Sequence, residues 1–566
     1  MPSWELIHKA TVFIAEEMGV ALKRSALSPN IRERVDLSCA VADGEGRIVA
    51  QAEHIPVHLG SFRVCVRNVL EWLRRSGVEL EEGDALVLND PYISGTHLND
   101  VTVVAPVVSG GEVVAYVACK AHHVDVGGPA PGSINPAART LYEEGFIVPP
   151  VKLVRRGSID RDLLEMIAAN SKTPRIVACD LRAQAAVVQL GVKRVLELMG
   201  RYGSSRVLEA WSESIEYARA LAAKRISGWR GGVYEAEDFV ELGEEDLAIR
   251  ARVEIRGGGV SVDFTGTSSQ VEAPLNAVFG VTYAAVSFAV RAVMGGEIPT
   301  NDGFYSLVEV YAPEGSLLNP RKPAPVSGGN LETSQRVADV VLRALAEAVP
   351  ERVPAAGSGT MMNVMLGGVS EGGYWAYYET VGGGTGARPC RDGVSGVHVN
   401  MTNTLNTPIE VAERSYPILY TAYRIREGSG GRGRYSGGDG IVRSFIALKP
   451  CRLSILADRF KRGPYGLRGG EPGAPSRVTI KKRDGEVLEM PSNPETLQAL
   501  DTGRPLQERP LRAPGRGTGS TRQSHDQETG RKGAGDAEQV HRGLRGGGRS
   551  RCGDSGRRGM GIARRI

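Results

Sequence analysis

The first predicted element is a helix close to the N-terminus. Apolar residues recur there every three or four positions, which predicts a helix of about five turns that packs on one face. These residues are Leu6, Ala10, Phe13, Ile14, Met18 and Leu22. Ser3 precedes them at the position that a helix N-cap would take.

The apolar period then changes to the alternation that is typical of strands. Residues 37–41 and 48–50 flank the turn Asp43-Gly-Glu-Gly46, a pattern that predicts a β-hairpin. A helix is predicted at about 61–75, after a Pro56 segment that we expect to be non-helical. Three strands follow in the prediction, at 85–89, 101–108 and 113–120.

The remaining pattern divides the chain into regions. Helical spacing returns over 159–226, strands over 233–264, helices at 281–294 and 332–347, and short β-branched runs over 357–480. We expect a mixed α/β (α+β), multi-domain, Gly-rich protein with a β-rich C-terminal half and a disordered C-terminal tail. The predicted regions are an N-terminal α+β region with a candidate metal hairpin (1–158), a helical segment (159–230), a β-rich α/β region with Gly-rich loops (231–492) and the tail (493–566).

The tail differs from the body in composition. Residues 501–566 hold 15 Lys and Arg against 7 Asp and Glu, and they contain no aromatic residue. Such a segment cannot bury enough apolar surface to offset its ordering entropy. Its Gly/Arg-rich composition is also what a GC-rich gene yields when it is read out of frame, so we predict that 493–566 is largely a frameshift product.

Charge and hydropathy narrow the class of protein. The first 500 residues hold 54 basic against 58 acidic side chains, so no basic face for nucleic acid is expected. No apolar run reaches the 18 residues of a membrane span, and no signal peptide is seen. The seven cysteines are scattered, as in reduced proteins. We expect a cytoplasmic protein.

The densest set of metal-binding residue types lies around the second hairpin. His97 and Asp100 precede one of its strands, and His122, His123 and Asp125 follow the other. If Gly110-Gly111 closes the hairpin, Asp100 lies opposite Ala121 and His97 lies near His123. These side chains then converge at the open end, within reach of one divalent ion.

Side-chain alternation assigns different roles to the paired histidines. His122 and His123 point to opposite faces of a regular strand, so one should bind the ion and the other should support it. Asp90 and Asp125 are candidates to orient the metal ligands through hydrogen bonds, without binding the metal themselves. The alternative for all of these histidines is ordinary hydrogen bonding at a strand end.

Other polar segments are weaker candidates. His54 and His58 stand four residues apart, as active-site or ordinary loop residues, and His398 and Asn403 lie in a run of amides and hydroxyls that would suit an amide-like substrate. The Gly-rich stretches at 325–333 and 379–388 lack the Gly-Lys-Ser/Thr of a phosphate loop, so no autonomous ATP site is expected.

Long motifs carry a resemblance to a known family. They are Ile31-Arg-Glu-Arg-Val-Asp-Leu-Ser-Cys39, His54-Ile-Pro-Val-His-Leu-Gly60, Asn89-Asp-Pro-Tyr, Gly95-Thr-His-Leu-Asn-Asp-Val-Thr, Ala121-His-His-Val-Asp-Val-Gly-Gly128, Asn276, Asn301-Asp-Gly303 and Met401-Thr-Asn-Thr-Leu-Asn-Thr-Pro-Ile-Glu410. Over about residues 3–490 the chain resembles the hydantoinase B/oxoprolinase family, which includes the acetone carboxylase α subunit. The Gly-Gly-Gly-Gly-Tyr-Gly-Asp-Pro type loop that usually ends the family is missing.

The resemblance implies a function. The chain would be the B-type component of an ATP-dependent cyclic amidohydrolase that opens a lactam or hydantoin ring with a metal-activated water. ATP would be handled by a separate hydantoinase A-type subunit in a hetero-oligomer. His97, Asp100 and His122 would hold the divalent metal (Mn, Zn or Fe), and His123 or Asp125 would transfer protons. The alternatives are an ATP-dependent carboxylase subunit and a non-catalytic assembly subunit.

Overall fold

The computed structural model describes residues 3–52, 54–481 and 486–489. The predicted frameshift product at 493–566 lies outside the described residues. The helices are α1 Trp4–Ser25, α2 Pro29–Arg32, α3 Pro56–Ser76, α4 Pro91–Ser94, α5 Arg161–Ala169, α6 Pro174–Tyr202, α7 Ser204–Ile226, α8 Phe279–Met294, α9 Asp302–Tyr305, α10 Ser334–Ala348 and α11 Ile409–Ser415. A π-helical turn, Gly329–Thr333, leads into α10.

The strands are β1 Leu37–Asp43, β2 Ile48–Gln51, β3 Ala85–Leu88, β4 Asp100–Ser109, β5 Glu112–His122, β6 Val151–Arg155, β7 Ser158–Ile159, β8 Gly232–Leu242, β9 Glu245–Arg256, β10 Gly259–Asp263, β11 Val308–Tyr311, β12 Asn363–Ser370, β13 Gly373–Thr380, β14 Gly383–Gly384, β15 Ser395–Val397, β16 Ile418–Arg426, β17 Gly440–Ala447, β18 Arg452–Leu456, β19 Thr479–Lys481 and β20 Val487–Glu489. Helices and several sheets in one chain confirm the mixed α/β class, and eight of these strands lie between residues 357 and 481.

A seven-stranded antiparallel sheet forms the N-terminal part, in the order β2-β1-β5-β4-β3-β6-β7. Its two central strands, β5 and β4, are buried along most of their length. Helices α1 and α6 pack against the sheet, and α3 packs against α8. The metal-binding candidates Asp100 and His122 therefore lie at the ends of two inner strands of a covered sheet, where they are buried.

The rest of the described chain contains a four-stranded sheet, a three-stranded sheet and the two-stranded sheets β14-β15, β16-β17 and β19-β20. The four-stranded sheet has the order β11-β10-β9-β8 and packs on α10, while the three-stranded sheet has the order β13-β12-β18. One hydrophobic cluster extends from Ile7 to Leu456, through the three regions predicted for residues 1–492. The division at residues 158 and 230 stays a prediction. Among the described residues, none of the helices combines the length and the hydropathy that a bilayer span requires.

Most of the predicted elements are present, and one start is wrong. The helix expected at about 61–75 begins at Pro56. Proline is favoured in the first turn of a helix, because its missing N–H has no partner there in any case. The segment around Pro56 was therefore misjudged, and His58 lies within the first turn of α3.

Candidate metal centre

The β4–β5 hairpin sets the geometry of the site. Gly110 and Gly111 both adopt positive φ angles, of 65° and 85°, as a tight two-residue turn requires. An irregularity between Val107 and Val108 shifts the pairing by one residue, so that Asp100 lies opposite His122. The predicted pairing with Ala121 was wrong. A one-residue shift exchanges the two faces of a strand, so it decides which histidine meets Asp100.

His97 reaches the same point from the loop that precedes β4. Gly95 ends α4 at a φ of 75°, and a Cβ placed on Gly280 of α8 would lie 2.5 Å from the Gly95 carbonyl oxygen. This close backbone contact fixes the loop. Asn89 also holds it, donating from Nδ2 to the Leu98 carbonyl at 3.1 Å. The His97 and His122 rings lie with centroids 4.9 Å apart.

Three side chains form the central cluster. Nδ1 of His97 lies 3.1 Å from Oδ2 of Asp100, and Nδ1 of His122 lies 3.6 Å from Oδ1. One ligand atom from each of these residues lies within 4.8 Å of the others. All three are at most 2% exposed. The structure thus brings together the three residues that the resemblance named as metal ligands.

His58 joins this cluster from the first turn of α3. Its Nε2 lies 3.3 Å from Oδ2 of Asp100, and its Nδ1 lies 3.1 Å from Oγ of Ser38. The Ser38 hydroxyl donates its hydrogen to the Leu37 carbonyl at 2.7 Å, so it accepts from Nδ1–H of His58. The Nε2 lone pair then faces a carboxylate oxygen. Two lone pairs at this distance repel unless a cation, either a proton or a metal ion, lies between them.

Unpaired buried atoms also indicate that a cation belongs in this cluster. Nε2 of His58, both ring nitrogens of His97, Nε2 of His122 and Oδ1 of Asp100 make no hydrogen bond of acceptable geometry with the described residues. Buried polar groups are normally paired. Imidazole nitrogens and a carboxylate suit a divalent transition metal. The donor set fits such an ion.

The charged side chains of the cluster shift one another's pKa values. Burial by itself raises the pKa of the Asp100 carboxyl, but the His97 and His58 imidazoles hold that pKa well below its ordinary value. Burial works in the opposite sense on His97, yet Asp100 raises the His97 pKa. For His122 burial prevails and lowers the pKa. Without a metal ion, a proton on His97 would balance the Asp100 charge.

Beside the cluster lies a small cavity of about 20 Å³, measured as the space open to the centres of water molecules. That is room for about one water. It is lined by residues from distant parts of the chain: Arg34, Asp36, Ile55, Val57, His58, Asp100, His122, Asn330, Leu331, Met361, Tyr378, Thr380, Met401 and Thr402. A single coordinating group can occupy it as it stands.

Several of these residues were missed by sequence reasoning. Oδ2 of Asp36 lies 3.8 Å from Nδ1 of His122, and the Tyr378 ring stacks on the His122 ring at 4.8 Å. Asn330 donates from Nδ2 to Oδ2 of Asp100 at 3.4 Å. Asp36 precedes Leu37, which pairs with Ala121 in β5. Only a prediction that β1 pairs with β5 could have found it.

The two predicted proton-transfer residues make their contacts elsewhere. His123 pairs through Nε2 with Oε1 of Gln184 at 2.7 Å, and Asp125 lies 3.1 Å from Nζ of Lys172. The two histidines make different contacts, and it is His122 that lies opposite Asp100. Asp90, expected behind the ligands, caps α4 through the Tyr92 N–H and pairs with Lys322 at 2.7 Å.

The remaining candidates surround the cavity at greater distance. His398 lies 3.3 Å from the Thr380 hydroxyl, and burial, helped by Arg34 and Arg443, lowers its pKa to about 3. Asn403 donates to the His54 carbonyl at 2.7 Å. The His54 ring itself lies 3.7 Å from Glu16, so the structure separates His54 from His58.

The two Gly-rich stretches have different surroundings. The stretch at 325–333 contains Asn330 and thus reaches the cluster. Residues 381–388 line a much larger cavity, of about 2080 Å³, in the C-terminal β region. Glycine allows close backbone packing there, since a Cβ on Gly384 would lie 2.0 Å from the Gly438 carbonyl oxygen.

Comparison with known proteins identifies relatives along most of the chain. The family model described as Hydantoinase B/oxoprolinase matches residues 3–514. An uncharacterized protein of Methanocaldococcus jannaschii is 48% identical over 493 residues, which cover 87% of this chain and 86% of the relative. The 5-oxoprolinase 1 of Arabidopsis thaliana is 39% identical, and the match covers 81% of this chain but 37% of that protein. A proposed B-type component of a D-/L-hydantoinase from a Pseudomonas species is 30% identical, with 85% and 83% covered.

Two solved structures share the fold. The ATP-dependent caprolactamase of Pseudomonas jessenii superposes with a TM-score of 0.81 at 27% identity, covering 88% of this chain and 87% of that one. Nucleotide-free acetone carboxylase gives a TM-score of 0.78 at 21% identity, covering 84% and 66%. The second likeness concerns the fold alone.

Proposed function

The chain belongs to the hydantoinase B/oxoprolinase family, and on that premise we propose that it is the ring-opening component of an ATP-dependent cyclic amidohydrolase. The observation that carries the proposal is the buried convergence of His97, Asp100 and His122. Relatives named as a 5-oxoprolinase, a hydantoinase and a caprolactamase support the reaction class, since each of these names refers to a cyclic amide.

His97, Asp100 and His122 would hold a divalent ion, Mn, Zn or Fe(II). Such an ion would lower the pKa of a water molecule and polarise the amide carbonyl. Neighbouring side chains of this chain hold the ligands in place and close the cavity. Tyr378 fixes the His122 ring by stacking, and Asn330 holds Asp100. Leu331 and Met401 wall the cavity and keep bulk water out.

Proton transfer is assigned to His58 in this proposal. Its Nδ1 is held by Ser38, so Nε2 lies at the cavity, 3.3 Å from Oδ2 of Asp100, where it can take up and return a proton during ring opening. The contacts of His123 and Asp125, with Gln184 and Lys172, favour structural support of the strand end instead. The prediction from the sequence is revised accordingly.

ATP enters the proposal through a partner. The sequence has no Gly-Lys-Ser/Thr phosphate loop. A relative named as one of the components of a hydantoinase supports a separate A-type protein that activates the ring carbonyl. Activation is needed because an amide is stabilised by resonance.

The test is a reconstituted reaction. The chain is co-expressed with its A-type partner, and ring opening of 5-oxoproline and of hydantoin is followed together with ADP release. We expect ATP-dependent opening that His97→Ala abolishes and His123→Gln largely retains. Product formation that requires bicarbonate would replace the proposal with a carboxylase. If the complex containing His97→Ala of this chain keeps full activity, this chain has only an assembly role.

A further inference from the structure

Arg34 occupies a distinctive place beside the metal cluster. It lines the small cavity together with His58, Asp100 and His122, and its side chain is 1% exposed. Its Nε lies 3.1 Å from Oε1 of Glu379. The Arg34 Cζ atom lies 4.4 Å from the centre of the Tyr378 ring, the ring that also stacks on His122.

The guanidinium group is only partly paired. Nη2 donates to the Thr380 hydroxyl at 3.1 Å, whereas Nη1 is buried and has no hydrogen-bond partner among the described residues. An unmade hydrogen bond of a buried charged donor is costly. Because the cavity adjoins this side chain, an acceptor that enters the cavity can complete the pairing.

The charge balance indicates which kind of acceptor. Three carboxylates surround the cavity region, those of Asp36, Asp100 and Glu379, and two guanidinium groups oppose them, those of Arg34 and Arg443. With a divalent ion and neutral imidazoles, these five side chains and the ion together carry one net positive charge. A buried excess charge favours a ligand of opposite sign. A neutral lactam would leave the excess in place.

We propose that Arg34 forms an anion-binding subsite next to the metal cluster, where Nη1 donates to a phosphoryl or carboxylate oxygen of the substrate. The proposal rests on the proposed function, because the positive total requires the ion. The cavity as it stands takes one water-sized group. A larger group enters when Met361 and Met401 turn, and methionine side chains are the most adaptable apolar walls.

The experiment titrates inorganic phosphate into the Mn²⁺-loaded full chain by calorimetry. We expect Arg34→Gln to weaken phosphate binding about 10- to 100-fold, the range for a lost hydrogen bond to a charged group. Arg34→Lys should recover part of the affinity. A control for the loss of an arginine elsewhere is Arg67→Gln, since Arg67 pairs with Asp302 away from the cavity.

Parallel titrations with 5-oxoproline and 2-pyrrolidinone distinguish the source of the anion. Arg34-dependent binding of 5-oxoproline but not of phosphate assigns the subsite to a substrate carboxylate, and the reverse assigns it to a phosphoryl group. Phosphate and 5-oxoproline affinities unchanged in Arg34→Gln, or no binding of either to loaded protein, would overturn the subsite. Metal content is measured on the same samples, and a wild type that takes up no metal would overturn the proposed function as well.

A second inference concerns the outer face of α1. Its largest apolar side chains are exposed at seven-residue intervals: Leu6 (51%), Phe13 (71%) and Val20 (48%). A heptad spacing drifts only about 20° per repeat around a helix, so these side chains form one stripe. Glu5, Lys9, Glu16 and Lys23 lie along one flank of that stripe.

The flank is self-complementary for an antiparallel pair. When two copies of α1 cross at Phe13, Leu6 meets the Val20 position of the other copy. Lys9 then faces Glu16, and Glu5 faces Lys23. A parallel pair would instead bring this flank against the opposite flank of its partner, so these four charges would not meet. We infer that a second copy of this chain docks on the α1 face through a two-fold axis, which is the commonest symmetry of homodimers.

Sedimentation of the full chain at several concentrations tests the interface. We expect a dimer that Phe13→Glu converts to a monomer of unchanged circular dichroism. Lys9→Glu should weaken the dimer, and adding Glu16→Lys should restore it. A wild-type monomer at high micromolar concentration, or a dimer that tolerates Phe13→Glu, would overturn the interface. If Phe13→Glu leaves the oligomeric state unchanged but abolishes binding to the A-type partner, the α1 face belongs to that partner.

Discussion

Asp100 is the residue on which the proposed metal centre depends most. The substitution Asp100→Asn keeps the size of the side chain and removes one negative charge. Asp100 has carboxylate oxygens 3.1 Å from His97, 3.3 Å from His58 and 3.6 Å from His122. The variant therefore tests charge at the centre of the cluster, with little change in packing.

The expected loss follows from electrostatics. Two unit charges 4 Å apart interact by about 4 kcal/mol at an effective dielectric constant of 20. Part of this loss of metal binding is offset, because Asp100 also raises the His97 pKa and so strengthens the binding of the proton that competes with the metal. We expect the metal Kd to rise roughly 100- to 1000-fold at pH 8, which corresponds to about 3–4 kcal/mol.

The pH dependence gives a second signature. In the wild type a proton on His97 competes with the metal, so affinity falls as the pH drops through the His97 pKa. In Asp100→Asn that pKa loses its main raising influence, and the loss of affinity moves to lower pH. Elemental analysis and chelator competition between pH 6 and 8 measure both effects.

The control is Asp125→Asn, which removes an equally buried carboxylate that pairs with Lys172. It should reduce stability and leave metal content unchanged. Equal metal affinity in Asp100→Asn and wild type would refute the cluster, and equal losses in both variants would show that any buried carboxylate matters.

Three further outcomes are expected. Burial raises the pKa of Glu144 to about 7, although the N–H groups of Val326 and Ser327 act in the opposite direction. The free energy of unfolding of the wild type should therefore fall by about 3 kcal/mol between pH 4.5 and 7. In urea unfolding, Glu144→Gln should lack this pH dependence. A Glu144→Gln curve parallel to the wild type would contradict this. His123→Gln should keep its metal, because His123 pairs with Gln184 outside the cluster, and elemental analysis decides. The purified single chain should show no ATP turnover in a phosphate-release assay, and turnover that survives rigorous purification would contradict the need for a partner.

The sequence alone determined the local elements and the position of the metal hairpin. Hydrophobic periodicity is a local property, so α1, strands β1 to β5 of the N-terminal sheet and the helical run from α5 to α7 could be predicted, whereas β6 and β7 were not. Histidine and aspartate at the open end of a hairpin likewise depend only on short-range spacing. His97, Asp100 and His122 therefore came from the sequence and the family resemblance together.

Tertiary structure decided the rest of the site. The register shift at Val107 placed Asp100 opposite His122, and the start of α3 at Pro56 brought in His58. Asp36, Arg34 and Tyr378 reach the cavity through strand pairing and packing between distant segments. Such contacts follow from the packing of the whole core, and a one-residue shift exchanges strand faces, so no local pattern in the sequence could specify them.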